Sequence, residues 1–250
     1  MKNTAKYLAE QERIAKIAFQ LFAETGYSKT PLSVIGKAAG VQKSLLQYYF
    51  PKKSKFIELF IQTSFNVIVN HLYESLMAED DAAEGEFDGI DAVDPFDDDE
   101  DDKEFDGLKL VEALYDIAYF EFWYITSCPS TEALRMDVME SYGNAQLVVK
   151  CVCEWIFEHM EDLDDEMKDK LYDTVTYCIG GGFEYACMKL EEKEPVDVSY
   201  IVDIAMATMV TALGLDTGFF KIHKDIDKEW LLRTADAVDA LTFGSGAVSA

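Results

Sequence analysis

Residues 13 to 60 read RIAKIAFQLFAETGYSKTPLSVIGKAAGVQKSLLQYYFPKKSKFIELF, and their spacing decides the fold. Ile14, Ile17, Ala18, Leu21 and Phe22 recur at i, i+3, i+4, i+7 and i+8, which places them on one face of a helix. Gly26 ends that helix. Thr30 suits the N-cap and Pro31 the first turn, where a missing N–H costs nothing, so a second short helix is predicted from Pro31 to about Ala38, burying Val34, Ile35 and Ala38. Ala39, Gly40 and Val41 make a tight turn in which Gly40 is free to take a positive φ. A third helix follows with Leu45, Leu46, Tyr49 and Phe50 inward, and Pro51 closes it. Two short helices joined by a glycine turn and braced by a longer first helix describe a helix-turn-helix, whose second short helix can enter a major groove.

The segment resembles the DNA-binding region of the tetracycline-repressor family. The likeness lies in the first helix and its exit (Ile14 to Thr30), the IxxxAGV turn (Ile35 to Val41) and the LxxxFPxK close (Leu46 to Lys53). It implies an all-α chain: a three-helix head over residues 1–56, joined by a long helix to a helical effector-binding and dimerisation domain over residues 57–242. Residues 243–250 are expected as a flexible tail. By the same resemblance Thr30, Tyr49 and Lys53 hold the phosphate backbone, contacts that set register rather than sequence preference. Gln42, Lys43, Ser44, Gln47 and Tyr48 face away from Leu46 and are the expected readers of base edges. Gln47 suits adenine through paired hydrogen bonds, and Lys43 suits guanine or a phosphate. Gln47 stands where the family usually has tyrosine and Leu45 where it usually has threonine, so the operator is not transferable from a relative.

Charge is divided in agreement. Residues 1–56 hold ten Lys or Arg against three acids, a net of +7, so with −26 overall the remaining chain carries −33. A sequence pI near 4.3 argues against a nucleic-acid partner only as an average. Charges more than about 10 Å away are largely screened at 0.1 M salt, so the local basic head controls the contact. From Glu79 to Asp106 there are sixteen acids and one lysine, a density that opposes compact packing. This acidic loop, 79–106, is read as a disordered, solvated insertion. A second reading has it fold back on the basic head and compete with DNA.

Beyond the head the expectations are helical throughout. A connecting helix from Lys52 to near Met77 carries Phe56, Phe60, Ile61, Phe65, Ile68 and Leu72. Further helices are predicted over Leu108–Thr126, Thr131–Tyr142, Asn144–Met160, Asp165–Lys189, Val198–Leu215 and Asp227–Leu241. In the family the last two large helices form a four-helix dimer interface, which maps here to about 165–189 and 198–215. Gly180, Gly181 and Gly182 within the first of these suggest a kink or a close helix approach. Phe120, Trp123, Tyr124, Met139, Tyr142, Trp155 and Tyr177 are candidates for an apolar effector pocket, although helical spacing alone does not separate a pocket wall from packed core. Acids in the body favour a cationic ligand only where one points inward.

Other classes find little support. No run approaches the roughly 18 apolar residues of a membrane span, and the polar N-terminus lacks an apolar signal core, so a cytoplasmic protein is expected. Five cysteines without an export signal read as reduced thiols. Cys151 and Cys153, two apart on a helix, point in different directions and do not suit one metal. No Gly-rich phosphate loop, HExxH or G-x-S-x-G motif occurs, so neither an enzyme nor a cofactor is expected. The reading is a sequence-specific, ligand-responsive repressor acting as a homodimer on a palindromic operator. Its partners would be double-stranded DNA, a small-molecule effector and a second copy of the chain. The competing reading is an acidic interaction module whose head no longer reads DNA.

Overall fold

The computed structural model describes residues 2–83, 107–140, 142–159, 163–212, 214 and 223–244. Its regular elements are all helical among the described residues. The head comprises α1 (Lys2–Thr25), α2 (Leu32–Ala39) and α3 (Lys43–Tyr49). Ile14, Ala15, Ala18, Phe19 and Phe22 of α1 close over Ile35, Ala39, Leu46 and Phe50. Gly40 takes φ 68°, and its N–H and that of Val41 bond back to the carbonyls of Lys37 and Gly36. That left-handed cap sets the turn between α2 and α3.

The phase of the two short helices differs from the sequence expectation. α2 buries Ile35, Gly36 and Ala39, while Val34 and Ala38 face outward. On α3, Leu45 is 41% exposed and only Leu46 is fully inward, with Phe50 beyond the helix end. The shift follows from the start of α2 at Leu32, since Pro31 occupies the N-cap with extended backbone. Thr30 is not the cap. Its hydroxyl donates to the Gly26 carbonyl at 2.8 Å and meets the Thr25 hydroxyl at 2.7 Å, closing the loop behind α2.

α4 (Ser54–Ala83) carries Phe56, Phe60, Ile61, Phe65, Ile68 and Leu72 buried along one side and joins head to body. It runs past Met77, so residues 79–83 are helical rather than loop; the rest of the acidic segment lies outside the described residues. The body comprises α5 (Gly107–Ser127), a 3-10 turn (Pro129–Thr131), α6 (Arg135–Met139), α7 (Tyr142–His159), α8 (Asp165–Glu191), α9 (Val198–Ala212) and α10 (Lys228–Thr242). The single helix expected over Thr131–Tyr142 is thus a 3-10 turn and one short helix. Thr131, fully buried, donates its hydroxyl back to the Tyr124 and Cys128 carbonyls at 2.9 Å each, which holds the chain in the turn. Asp164 caps α8 by accepting from the Met167 N–H at 2.8 Å, and Asp227 caps α10 by accepting from Glu229 at 2.9 Å. α9 is described to Ala212, and Gly214 beyond it is a turn residue with φ 72°; the expected end at Leu215 lies outside the described residues.

α5 packs on α4 and α9, and α8 packs on both α7 and α9. Gly182 explains the closeness of α8 to its neighbours. A β-carbon there would lie 2.8 Å from Phe122 Cε1, nearer still to its Cζ, and 3.0 Å from Ile201 Cγ2. At Gly180 and Gly181 a β-carbon would meet open space, so only one of the three glycines is required by internal packing.

Phe243, expected to begin a flexible tail, is instead buried. Its ring sits 6.3 Å from that of Phe19 and 6.1 Å from that of Phe60, and its carbonyl accepts from Gln20 Nε2 at 2.9 Å. Residues 245–250 lie outside the described residues.

Candidate nucleic-acid interface and interior cavity

α3 presents Gln42, Lys43, Ser44, Leu45, Gln47 and Tyr48 to solvent. Leu46 and Phe50 anchor the opposite side, and Phe50 stacks on Phe56 of α4 with centroids 3.8 Å apart. The exposed face therefore combines hydrogen-bonding side chains (Gln42, Ser44, Gln47), a cation (Lys43), an apolar tip (Leu45) and an aromatic one (Tyr48, 65% exposed). This is the mixture that base edges and thymine methyl groups require. Tyr7 of α1 steadies it, with its ring 5.6 Å from that of Tyr48 and 4.8 Å from that of Tyr49. Tyr7 precedes the recognisable sequence pattern, and Leu45, expected inward, instead joins the exposed face.

Two of the three residues expected on phosphates are committed elsewhere. Thr30 is 1% exposed, with its hydroxyl engaged as described above. Lys53 donates to the Tyr27 carbonyl and lies 4.0 Å from the centre of the Tyr27 ring. Burial lowers the pKa of its ammonium group. Both side chains pack the underside of the head rather than its exposed face. Tyr49 is half-buried, between Tyr7 and Tyr48. Lys29, Lys37 and Lys52 are exposed around the head and extend the positive surface from Lys43. Arg13 is exposed and paired with Glu10 at 2.7 Å, and it also donates to the Ala39 carbonyl at 3.0 Å, tying the end of α2 to α1.

Among the described residues three features tie the head to the body. α4 is continuous between them. Ser28, in the loop before α2, donates to a carboxylate oxygen of Asp137 on α6. The third is Phe243, at the end of α10, wedged between α1 and α4.

The seven aromatic and methionine residues expected to line one effector pocket are dispersed. Phe120 and Tyr124 are core, stacked at 5.3 Å, and the Tyr124 hydroxyl donates to Asp239 at 2.6 Å. Met139 is buried on α6. Trp123 borders a surface cleft with Tyr119, His223 and Lys224, whereas Trp155 lies under a separate cleft between α4 and α7. Tyr177 is 75% exposed on α8, and the Tyr142 side chain lies outside what is described.

The interior cavity is elsewhere, enclosed by α5, α7, α8 and α9. Leu114, Ile117 and Phe122 form one wall; Val148 and Val152, Val175 and Ile179, and Met206 and Met209 form the others. Its volume is about 40 Å³. Among these apolar side chains stands one carboxyl group, Glu121, whose Oε1 is sealed from solvent and hydrogen-bonds to nothing among the described residues. Burial pushes its pKa up to about 8. Cys178 and Ala205 border both this cavity and an outer groove between α8 and α9. That groove, about 310 Å³, is also lined by Tyr177, Gly181, Tyr200 and Ile204. Among the described residues, six of the twelve exposed large apolar side chains lie on α8 and α9 (Met167, Tyr172, Tyr177, Met188, Tyr200, Ile204), so exposed apolar surface is concentrated on these two helices.

All five cysteines are free thiols with pKa values raised by burial, to about 11 for Cys151, Cys178 and Cys187 and about 12 for Cys128 and Cys153. Among the described residues no cluster of His, Cys, Asp and Glu suits a metal ion, and no helix is long and apolar enough to cross a membrane.

Residues 14–60 match the family model described as bacterial regulatory proteins, tetR family. No curated protein and no solved structure matches the chain.

Proposed function

The chain is a DNA-binding transcriptional regulator carrying the head of the tetR family, and from that premise we propose that it acts as a homodimeric, ligand-responsive repressor of a palindromic operator. The observation that carries the DNA half of this reading is the exposed face of α3 on a locally basic head. Gln42, Lys43, Ser44, Gln47 and Tyr48, joined by Leu45, read the bases; Tyr49 and the exposed lysines hold phosphates. Thr30 and Lys53 contribute by shaping the head. Residues 1–56 form the DNA-binding domain, and residues 57–242 form the effector-binding and dimerisation domain, extended by Phe243.

The dimer half rests on the outer face of α8 and α9. Tyr177, Gly181 and Met188 lie on one side of α8, beside Tyr200 and Ile204 on α9, and Gly181 leaves space for a partner backbone. Two copies joined through this face would place their heads on half-sites one helical turn apart, roughly 34–36 Å. Response to a ligand requires that the body have two arrangements with different ligand affinity, since a ligand shifts an equilibrium only by that difference. The ties from Ser28 to Asp137 and from Phe243 to Phe19 transmit such a rearrangement to the head.

Selection of the purified protein against random duplex DNA at moderate salt tests this reading. An enriched palindrome with half-sites one turn apart is the expected result. Enrichment of no sequence would favour the acidic interaction module instead.

A further inference from the structure

Glu121 is out of keeping with its surroundings. Leu114, Ile117, Ala118, Glu121, Phe122 and Ile125 form one stripe along α5 at i, i+3, i+4, i+7, i+8 and i+11, buried at Leu114, Ile117, Phe122 and Ile125 and half-buried at Ala118 and Glu121, whose Oε1 is nevertheless sealed from solvent. A carboxyl at the centre of such a stripe replaces what packing alone would fill with leucine or methionine. Buried polar groups are ordinarily hydrogen-bonded, and an unpartnered one points to a group that is supplied from outside. Among the described residues no lysine, arginine or histidine lines the cavity; the titratable neighbours described there are the thiols of Cys151 on α7 and Cys178 on α8, and α9 contributes none. Nothing within the cavity neutralises an ionised Glu121.

We propose that the cavity between α5 and α9 is the effector site and that Glu121 selects a primary or secondary organic ammonium ion with an apolar body. The inference rests on the ligand-responsive reading and supplies its ligand class. The apolar walls accept the body of the ligand, and an ammonium N–H supplies both the donor and the charge that Glu121 Oε1 lacks. The proton balance is definite. Burial of Oε1 favours the carboxylic acid in the empty site. An ammonium ion arrives already protonated, so pairing requires Glu121 to release its own proton to solvent, leaving carboxylate and ammonium in contact.

At about 40 Å³ the empty cavity is far below the roughly 300 Å³ of a working ligand pocket, so occupation has to enlarge it. Met206 and Met209 are the adaptable part of the lining. The tightest point is where Gly182 meets Phe122, so enlargement pushes α8 away from α5. Movement of α8 then reaches the outer groove, because Cys178 and Ala205 border both spaces. Ligand binding and the proposed dimer face are thereby coupled.

The test uses 2-phenylethylammonium and its neutral counterpart 2-phenylethanol, each titrated calorimetrically into the full-length protein and into Glu121→Gln at pH 7. The ammonium ion is expected to bind the native protein at least tenfold more tightly than the alcohol. It should release close to one proton, read from the dependence of the heat on buffer ionisation, and Glu121→Gln should abolish both the preference and the release. If the alcohol binds equally well and Glu121→Gln changes neither affinity, the cavity is an effector site but the ligand class is wrong. Binding of neither probe removes the cavity as the effector site. A parallel operator titration separates the premise: tight, Glu121-dependent ammonium binding that leaves operator affinity unchanged would retain the ligand class and refute the ligand response.

Discussion

Alanine at Gly182 and alanine at Gly180 are the same chemical change two residues apart on one helix, yet their effects should have opposite sign. Each removes a glycine from a helix interior, which by itself stabilises by about 0.5–1 kcal/mol. At Gly180 the added methyl meets no atom within 4 Å, so the gain should be realised in full. At Gly182 the methyl would lie 2.8 Å from Phe122 Cε1 and 3.0 Å from Ile201 Cγ2. The Phe122 ring borders the small interior cavity on one side and is held on the other. It is buried and packed edge-on against Phe183 with centroids 5.5 Å apart. Overpacking of this kind costs about 1–3 kcal/mol, which exceeds the helix gain. The helix gain is common to both variants, so they should differ by the overpacking cost, about 1–3 kcal/mol. For a chain of this size that corresponds to roughly 2–12 °C in Tm at fixed protein concentration. Thermal and urea unfolding, read by circular dichroism, measure it. Equal stability of the two variants would refute the claim that Gly182 is the contact point between α8 and α5.

Further expectations concern single groups. Glu121 is protonated in the fold up to about pH 8 but ionises near 4.5 when unfolded. The folded state thus holds the extra proton between those values, and stability should fall as pH rises across that window, by at most ~1.4 kcal/mol per pH unit. Glu121→Gln should remove that slope in urea titrations from pH 5 to 8; parallel profiles for the two proteins would contradict the burial of this carboxyl. Tyr124→Phe leaves Asp239 without its buried donor and should destabilise the fold by about 1–3 kcal/mol, whereas loss below 0.5 kcal/mol would show the contact to be dispensable. Ser28→Ala should leave Tm nearly unchanged while weakening the effect of ligand on operator affinity, measured by fluorescence anisotropy; an undiminished ligand effect would remove this contact from the coupling. Operator affinity itself should fall by about 10³–10⁵ between 50 and 200 mM salt if the two heads neutralise six to ten phosphates, and a flat dependence would contradict binding through the basic head.

The head was legible in the sequence because its signals are local. The Gly40 turn, the Pro31 and Pro51 boundaries and the apolar face of α1 each follow from neighbouring residues, and the structure places them accordingly. The phase of α2 and the outward turn of Leu45 were not legible, because an eight-residue and a seven-residue helix give too few turns to define a face. Thr30 and Lys53 were assigned to phosphates by resemblance, yet their partners at Gly26 and Tyr27 emerge only when the loop closes. Aromatic residues drew attention to Phe120 and Tyr124, which are core. Glu121 carries the better signal, a carboxylate on the apolar stripe of α5, but in a chain with 48 acidic residues it does not stand out by composition. Which helices enclose a common space depends on long-range packing, and no local pattern reveals it.

The central claim is that the outer face of α3 reads DNA. The most direct measurement is the affinity of the Lys43→Ala, Gln47→Ala double variant for an operator selected by the native protein, with folding and assembly checked by circular dichroism and light scattering. Both side chains are exposed, so stability should be unchanged. A bidentate base contact and a charged one are each worth about 1–3 kcal/mol, so affinity should fall at least about thirtyfold, together with a relaxed base preference at the contacted positions. Retention of native affinity and preference by a folded double variant would contradict the assignment of α3 as the recognition helix.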